Sequence, residues 1–233
     1  MKRLYRKFCI LNRSLIGYWI KWKIDFWGIG KVKKILPKKK NSPRLIVSLT
    51  SYGRRVEKGI VYYTLVSLLK QTKQPDKIVL WLDSTTWSEK KLPKCLQQIR
   101  NYGVDILFCK DIRSYTKLIP ALREFPEDII VTVDDDVYYS SHLLELLYNA
   151  YIQDKSKIYC IRALEPLFAE NHNLCHYNDW IEKPLDSPFT FPLGVGGVLY
   201  PPHSLHPDVC NEDLFMRLCP LADDVWFWMM AIR

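Results

Sequence analysis

The sequence lacks the cysteine spacing that marks disulfide frameworks and zinc ribbons. Seven of its 233 residues are cysteines, an odd number, and no two of them stand as Cys-x-x-Cys. Several lie within apolar runs, so we expect reduced and mostly buried thiols, as in cytosolic proteins. With 48% hydrophobic and 25% charged residues, and no internal repeat, the chain has the composition of an ordinary globular protein.

An uninterrupted apolar segment is also missing near the N-terminus. The longest charge-free stretch there, residues 14–20, is far shorter than the roughly 20 residues that cross a bilayer. Arg13, Lys21, Lys23 and Asp25 interrupt the apolar pattern, and no small-residue cleavage site follows. The segment is therefore not typical of a secretory signal.

Acidic residues are scarce in the same segment. Residues 1–44 contain 14 lysines and arginines against one acid, Asp25, a net charge of +13, whereas the other 189 residues carry −4. We therefore divide the chain into a basic leader, residues 1–43, and a mildly acidic body, residues 44–233. Because the body is not basic, a nucleic-acid-binding domain is disfavoured, and we expect no nucleic-acid partner.

Aromatic and aliphatic residues alternate with cations in the leader. Tryptophan beside lysine favours the headgroup region of a membrane, where the ring is half buried and the ammonium meets anionic lipid. The pattern predicts peripheral attachment to the cytoplasmic, inner face of a membrane. A poorly ordered basic tail and a helix packed on the body are the alternatives, with nucleic-acid binding a weaker one. The residues concerned are Phe8, Ile10, Leu11, Leu15, Ile16, Tyr18, Trp19, Trp22, Phe26 and Trp27.

Short β-rich runs alternate with longer helical patterns through the body. This order predicts an α/β fold with a mostly parallel sheet covered by helices on both faces. In such sheets ligands bind beyond the carboxyl ends of the strands. Residues 165–202, rich in proline, asparagine and aromatic residues, are predicted to be irregular and to shape a substrate site. The predicted strands cover residues 45–50, 77–83, 104–109, 128–133 and 157–161, and the predicted helices 59–71, 88–101, 115–124 and 140–153.

Three adjacent carboxylates, Asp134, Asp135 and Asp136, follow the fourth predicted strand. Clustered like charges repel one another, so a fold gains nothing from them alone. A divalent cation resolves the repulsion, because carboxylate oxygens suit Mg²⁺ and Mn²⁺, and the bound ion then neutralises phosphates. Side chains alternate along a strand, which would place Asp134 and Asp136 on one face as a D-x-D pair. An acidic loop that caps the next helix is the alternative.

A second carboxylate pair, Asp223 and Asp224, precedes a strongly apolar segment. Acids in the first turn of a helix stabilise it by capping and by interaction with the helix dipole. A carboxylate beside an apolar cleft is instead tuned by desolvation and suits a general base. The residues alone leave both interpretations open.

Taken together, these segments resemble family 2 glycosyltransferases of the GT-A fold. Within that family they are most similar in style to bacterial enzymes that build capsular or lipopolysaccharide glycans. The resemblance covers residues 44–233 and excludes the leader. No single motif is specific, but five occur in the right order at the right strand ends. The motifs are Thr50-Ser-Tyr-Gly53, Ser67-Leu-Leu-Lys-Gln-Thr72, Asp83, Asp134-Asp135-Asp136 and Asp223-Asp224-x-Trp-Phe-Trp.

The resemblance implies a nucleotide-sugar site with a metal ion. Asp134 would lie by the ribose, Asp135 would belong to the same donor site, and Asp136, with Asp134, would hold the Mn²⁺ or Mg²⁺ that bridges the diphosphate. Glycines would let the chain approach the sugar closely, although an ordinary glycine turn is the alternative. The further donor-site residues are Thr50, Ser51, Tyr52 and Asp83 at the nucleoside, Arg113 and Lys117 at the leaving group, and Gly194, Gly196 and Gly197 at the sugar.

The implied reaction is an inverting transfer in which Asp224 deprotonates the acceptor hydroxyl, with Asp223 as the rival base. The donor would be a nucleotide sugar, such as a UDP-sugar, and the acceptor a cell-surface glycan or a lipid-linked precursor. A sugar nucleotidyltransferase, a metal-dependent phosphatase or nuclease, and an inactive module on the same fold are the alternatives. The sequence ends nine residues after Asp224, where such enzymes commonly continue, which leaves open a compact enzyme or a truncated chain.

Overall fold

The computed structural model describes residues 9–10, 15–30, 32, 34–35, 43–183, 187 and 189–233, and of residues 9, 10 and 27 it describes only the backbone. Several residues of the predicted leader lie outside this description. They are Phe8, Leu11, Lys38, Lys39, Lys40, Asn41 and Ser42.

Eleven strands lie within the described residues, and six of them form the central sheet. The strands are β1 (Cys9–Ile10), β2 (Leu45–Thr50), β3 (Lys77–Asp83), β4 (Val104–Cys109), β5 (Ile129–Thr132), β6 (Val137–Tyr138), β7 (Tyr159–Cys160), β8 (Ala163–Glu165), β9 (Ile181–Glu182), β10 (Phe191–Pro192) and β11 (Val198–Tyr200).

Eight α-helices and several short 3-10 helices connect these strands. The α-helices are α1 (Leu15–Trp27), α2 (Gly53–Glu57), α3 (Ile60–Leu69), α4 (Lys94–Ile99), α5 (Ile119–Glu124), α6 (Leu143–Gln153), α7 (Glu212–Leu218) and α8 (Asp223–Ile232). The 3-10 helices are Glu89–Lys91, Arg100–Tyr102, Arg113–Lys117, Tyr177–Asp179, Gly194–Gly196 and Pro207–Cys210.

The central sheet has the strand order β4-β3-β2-β5-β11-β7. Its first four strands run parallel. Strand β11 pairs antiparallel with β5, and β7 pairs antiparallel with β11 at the edge of the sheet. The predicted α/β fold with a mostly parallel sheet flanked by helices is confirmed. From β2 the chain builds outward through β3 and β4 and then returns to β5 on the other side of β2. The crevice beyond the carboxyl ends of β2 and β5 is therefore the place where this topology favours a ligand.

Two hydrophobic cores cover the two faces of the sheet, because successive side chains of a strand point to opposite faces. Val47 and Leu49 of β2 belong to the first core, under α3, α4 and α6. Ile46, directly before Val47 in the same strand, points to the opposite face and belongs to the second core, under α5, α7 and α8. Strands buried on both faces appear in the sequence as continuous apolar runs, which is why these strands could be predicted.

Two predicted helices are interrupted, and proline explains both. The helix predicted over residues 88–101 is a 3-10 turn followed by α4, with Pro93 at the start of α4. The helix predicted over 115–124 is a 3-10 turn followed by α5, with Pro120 in its first turn. Proline lacks the amide hydrogen and is tolerated only at the beginning of a helix.

Helix α1 brings part of the leader onto the body. Ile24 is buried in the first core, and the Tyr63 hydroxyl donates to Asp25 Oδ1 at 2.7 Å. Within the described parts of the chain, no helix combines the length and apolarity that crossing a bilayer requires. The boundary between leader and body at residue 44 remains a prediction.

The six described cysteine side chains are free thiols, each partly buried. Burial raises the pKa of Cys160 to about 12 and that of Cys109 to about 11. Since the thiolate is the reactive form, these two side chains are chemically quiet at neutral pH.

Candidate active site

Ser51 and the aspartate triplet meet beyond the carboxyl ends of β2 and β5. Strand β5 ends at Thr132 and the triplet forms the turn into β6. The alternation of an extended strand therefore does not continue through it. Asp135 and Asp136 share one cation, Arg55, whereas Asp134 contacts a different one, Lys117.

Arg55 and Ser51 hold the middle of the triplet. Arg55 Nη1 lies 2.6 Å from Asp135 Oδ1, and its Nη2 lies 2.9 Å from Asp136 Oδ2. Ser51 Oγ donates to Asp135 Oδ2 at 2.5 Å. Burial raises the pKa of Asp135, although Ser51 and Arg55 oppose that rise. Asp135 thus ties the loop after β2 to the turn after β5.

Lys117 is the cation that joins the two acidic motifs. Its ammonium lies 3.4 Å from Asp134 Oδ1, 2.9 Å from Asp223 Oδ2 and 3.7 Å from Asp224 Oδ1. Burial opposes the charged form, but the three carboxylates outweigh it and raise the pKa of Lys117 well above its ordinary value. Ser48 Oγ donates to the Lys117 carbonyl at 2.6 Å and so fixes the backbone under the side chain.

Asp223 and Asp224 open α8 but differ in exposure. The Asp223 side chain is 12% exposed and the closer of the two to Lys117, while that of Asp224 is 33% exposed. The Gly194 amide donates to Asp224 Oδ2 at 3.1 Å. Burial raises the pKa of Asp224, Lys117 opposes the rise, and Asp223 adds to it. Asp224 is therefore the more accessible carboxylate and is tuned in the direction that suits a general base.

The glycine turn before β11 lies directly against this carboxylate. A Cβ atom on Gly194 would stand 2.7 Å from Asp224 Oδ1 and 2.9 Å from Lys117 Nζ. Gly197 has φ +88, in the left-handed region that favours glycine, and a Cβ on Gly196 would meet the Arg162 backbone nitrogen at 3.0 Å. Close contacts with neighbouring residues, and the positive φ of Gly197, therefore explain these glycines without any ligand.

The remaining predicted residues lie around the cluster, each with a local partner. Tyr52 is 67% exposed and its ring faces the Arg55 guanidinium at 5.4 Å. Thr50 Oγ1 donates to the Trp81 carbonyl at 3.1 Å. Arg113 donates to the Pro220 carbonyl at 3.0 Å, and so contacts the loop that precedes α8.

Asp83 ends β3 and accepts hydrogen bonds from its own loop. The hydroxyls of Thr85 and Thr86 each donate to Asp83 Oδ2 at 2.6 Å. These bonds, with the backbone amides of the same two residues, lower the pKa of Asp83 to about 2. The side chain shapes the loop at the strand end; its predicted contact with a nucleoside remains a prediction.

Arg55 and Tyr139 take part in the cluster, although no sequence motif predicted a role for either residue. The Tyr139 hydroxyl accepts from the Asp134 amide at 2.9 Å and donates to the Val195 carbonyl at 3.1 Å. It thereby joins the acidic turn to the glycine turn. A run of three carboxylates indicates that a cation is near, and Lys117 was predicted at the site, but only the fold shows that Arg55 is the cation beside Asp135 and Asp136.

Two carboxylates of the triplet remain partly exposed. Asp134 and Asp136 are 31% and 22% exposed, whereas Asp135 is buried and bonded on both oxygens. Mg²⁺ is commonly held by one or two protein carboxylates, with water and substrate phosphates as its other ligands. Within the described residues no three histidine, cysteine or acidic side chains gather as a metal site.

No protein-family model matches the chain, and no curated protein sequence is significantly similar to it. The solved structures that resemble it distantly include two enzymes. The mannosyltransferase PcManGT from Pyrobaculum calidifontis, in complex with GDP-Man and Mn²⁺, is 15% identical with a TM-score of 0.40, over 60% of this chain and 41% of its own. A CMP:2-keto-3-deoxy-manno-octonic acid synthetase complexed with CTP is 11% identical with a TM-score of 0.46, over 79% of this chain and 83% of its own. The chain thus spans less than half of the mannosyltransferase.

Proposed function

We propose that this protein is a metal-dependent, inverting glycosyltransferase that uses a nucleotide-sugar donor. The observation that carries the proposal is the buried Lys117 ammonium, which lies within 4 Å of Asp134 on one side and of Asp223 and Asp224 on the other. A donor-binding acid and an acceptor-activating acid must stand close together in a transferase. The resemblance of the sequence motifs to family 2 glycosyltransferases supports the same assignment.

The donor would bind beyond β2 and β5, with its diphosphate toward Asp134, Asp136 and Lys117. A bound Mn²⁺ or Mg²⁺, held by Asp134 and Asp136, would supply positive charge to the diphosphate leaving group. Lys117 adds a second cation that needs no reorganisation, because its position is already set by three carboxylates. The donor base, with UDP as our choice, is part of the proposal.

Asp224 would accept the proton of the acceptor hydroxyl. The hydroxyl oxygen forms a bond to the anomeric carbon, the bond from that carbon to the diphosphate oxygen breaks, and the electron pair leaves with the nucleoside diphosphate. The amide of Gly194 holds Asp224 Oδ2 in place during the transfer. We further propose a cell-surface glycan or lipid-linked acceptor, glycosylated at the inner face of a membrane.

A catalytically inactive nucleotide-sugar-binding module is the second candidate, because Arg55 and Lys117 already neutralise the triplet without a metal ion. A sugar nucleotidyltransferase is less consistent with the site, since Arg55, in the loop after the first strand of the sheet, is engaged by Asp135 and Asp136 instead of being available to a triphosphate.

Thermal unfolding with a panel of nucleotides tests the donor site. A ligand that binds only the folded state at about 100 times its Kd stabilises it by about 2.7 kcal/mol. We expect UDP or GDP to raise the Tm in the presence of Mn²⁺, and Asp136→Ala to abolish the increase, while the control Asp154→Ala at the end of α6 retains it. Stabilisation by CTP alone would favour the nucleotidyltransferase. Nucleotide binding without sugar transfer would favour the inactive module, and no response to any nucleotide would remove the donor site.

A further inference from the structure

Helix α1 has two unlike faces. Its inner face packs on the body through Gly17, Ile20 and Ile24. The outer face carries a row of large apolar side chains at intervals of four, three and four residues, which places them on one side of an α-helix. This row, which we name the α1 stripe, consists of Leu15, Trp19, Trp22 and Phe26, exposed by 88%, 56%, 57% and 68%.

The stripe is preorganised by contacts among its own residues. The Trp22 and Phe26 rings stack with centroids 5.5 Å apart and planes 12° apart. Lys23 Nζ lies 5.0 Å from the Trp19 ring centroid. Ile16 and Tyr18 flank the stripe and are also exposed, by 64% and 62%. Contiguous exposed apolar surface of this kind marks an interaction site.

The net charge of the sequence segment that contains the stripe indicates the partner. Residues 1–44 carry a net charge of +13, so a second copy of this surface would be repelled, whereas an anionic surface would be attracted. Tryptophan and lysine together suit the boundary between headgroups and acyl chains, where the ring is half buried and the ammonium remains solvated. A helix of 13 residues lies flat along such a boundary over about 20 Å.

We propose that the α1 stripe docks the protein onto an anionic lipid bilayer, with α1 lying in the plane of the headgroups. The inner face of α1 remains packed on the body, so the orientation of α1 at the bilayer would also set the orientation of the central sheet. This proposal does not depend on the transferase activity, because vesicle binding is measured without nucleotide or acceptor. Failure of one proposal therefore leaves the other standing.

Flotation of the full chain with vesicles tests the surface. We expect binding to phosphatidylcholine vesicles that contain about one third phosphatidylglycerol, at least about tenfold weaker binding to pure phosphatidylcholine, and release at high salt. The double variant Trp19→Ser/Trp22→Ser should weaken binding by a further factor of about ten or more. Phe168→Ser, which removes an aromatic side chain 54% exposed outside α1, is the matched control and should bind as the parent does.

Several outcomes would overturn the proposal. The first is equal binding by the parent and the double variant, and the second is equal binding to neutral and anionic vesicles. A dimer in solution that Trp19→Ser/Trp22→Ser converts to a monomer would assign the stripe to a second copy. Binding of single-stranded DNA with the same dependence on Trp22, and none to vesicles, would assign it to nucleic acid. Because both substituted side chains are exposed, the Tm of the variant should match the parent and exclude misfolding.

Discussion

The two acids that begin α8, Asp223 and Asp224, are adjacent in sequence but differ in the role that we propose for each. Asp223 is the more buried and lies 2.9 Å from Lys117, so it neutralises the ammonium. Asp224 is more exposed and hydrogen-bonded to the Gly194 amide. A buried ion pair that loses one partner leaves an uncompensated charge, whereas an accessible carboxylate of raised pKa can exchange a proton. Of the two acids, we therefore propose Asp224 as the base, and the assignment stays a prediction.

Asp224→Asn should abolish transfer while leaving donor binding intact. Removing a general base costs about 10² to 10⁴ in rate, and the amide still fits the space beside Gly194. Steady-state transfer assays and nucleotide titrations on the same variant measure the two effects. Asp223→Asn is the comparison: we expect it mainly to lower the Tm, since it leaves Lys117 with fewer counter-charges. Full activity in Asp224→Asn together with loss in Asp223→Asn would exchange the two roles.

Lys117→Met should move the acidic limb of the pH–rate profile to higher pH. As the proposed base, Asp224 would have to be ionised, so the rate should fall as the pH drops through its pKa, which burial already raises. Lys117 lowers that pKa, and its removal should move the limb to higher pH. The kcat/KM profile of the parent and variant measures the shift. Lys110→Met, which removes an exposed lysine paired with Glu212, is the control and should leave the limb unchanged; identical profiles for all three proteins would contradict the role of Lys117.

Two turns, one after β5 and one before β11, act together as a unit. Tyr139 joins them by accepting from the Asp134 amide and donating to the Val195 carbonyl. Because β5 and β11 are paired antiparallel, the end of one strand faces the start of the other. The acidic turn and the glycine turn are thus neighbours by topology, although about 60 residues separate them in sequence.

Gly194→Ala should reduce transfer by displacing the Asp224 carboxylate. The new Cβ would stand 2.7 Å from Asp224 Oδ1, a separation so short that the carboxylate must leave its position. We expect a lower kcat, by about tenfold or more, with a small change in Tm. Gly196→Ala crowds Arg162 instead of Asp224 and serves as the control within the same turn. Equal kinetic effects of the two variants would point to general distortion of the turn.

The sheet links the two cores into one cooperative unit. Neighbouring residues of β2 enter opposite cores, Ile46 into the second and Val47 into the first. Neither core can lose its helices without exposing one face of the same strands. Packing on both sides of the central strands therefore makes the body a single folding unit.

Leu65→Ala in the first core and Ile119→Ala in the second should each destabilise the protein by about 2–5 kcal/mol. Both side chains are fully buried. Urea unfolding followed by tryptophan fluorescence and by circular dichroism should give coincident single transitions for both variants. Two separated transitions in either variant would show that the cores unfold independently.

Much of the architecture could be predicted from local sequence patterns, whereas the candidate site could be predicted only in part. The strands Leu45–Thr50, Lys77–Asp83 and Val104–Cys109 match the predicted bounds, because a strand buried on both faces is a short apolar run between polar turns. The antiparallel pairing of β11 with its two neighbours, β5 and β7, was not predicted, since pairing partners and their direction depend on contacts distant in sequence. Pro93 and Pro120 interrupt two of the predicted helices, which follows from the local chemistry of proline. The predicted helices were therefore longer than the observed ones.

The amino-acid sequence by itself determined the order of strands and helices, the mostly parallel sheet and the location of acidic motifs at strand ends, because apolar periodicity and charge repulsion act between near neighbours. Only the tertiary structure decided that Arg55 serves Asp135 and Asp136, that Lys117 joins Asp134 to Asp223 and Asp224, and that α1 turns its aromatic row outward. Those outcomes depend on which segments the sheet order brings within a few ångströms of one another, and electrostatic interactions in a buried site are decided at that distance.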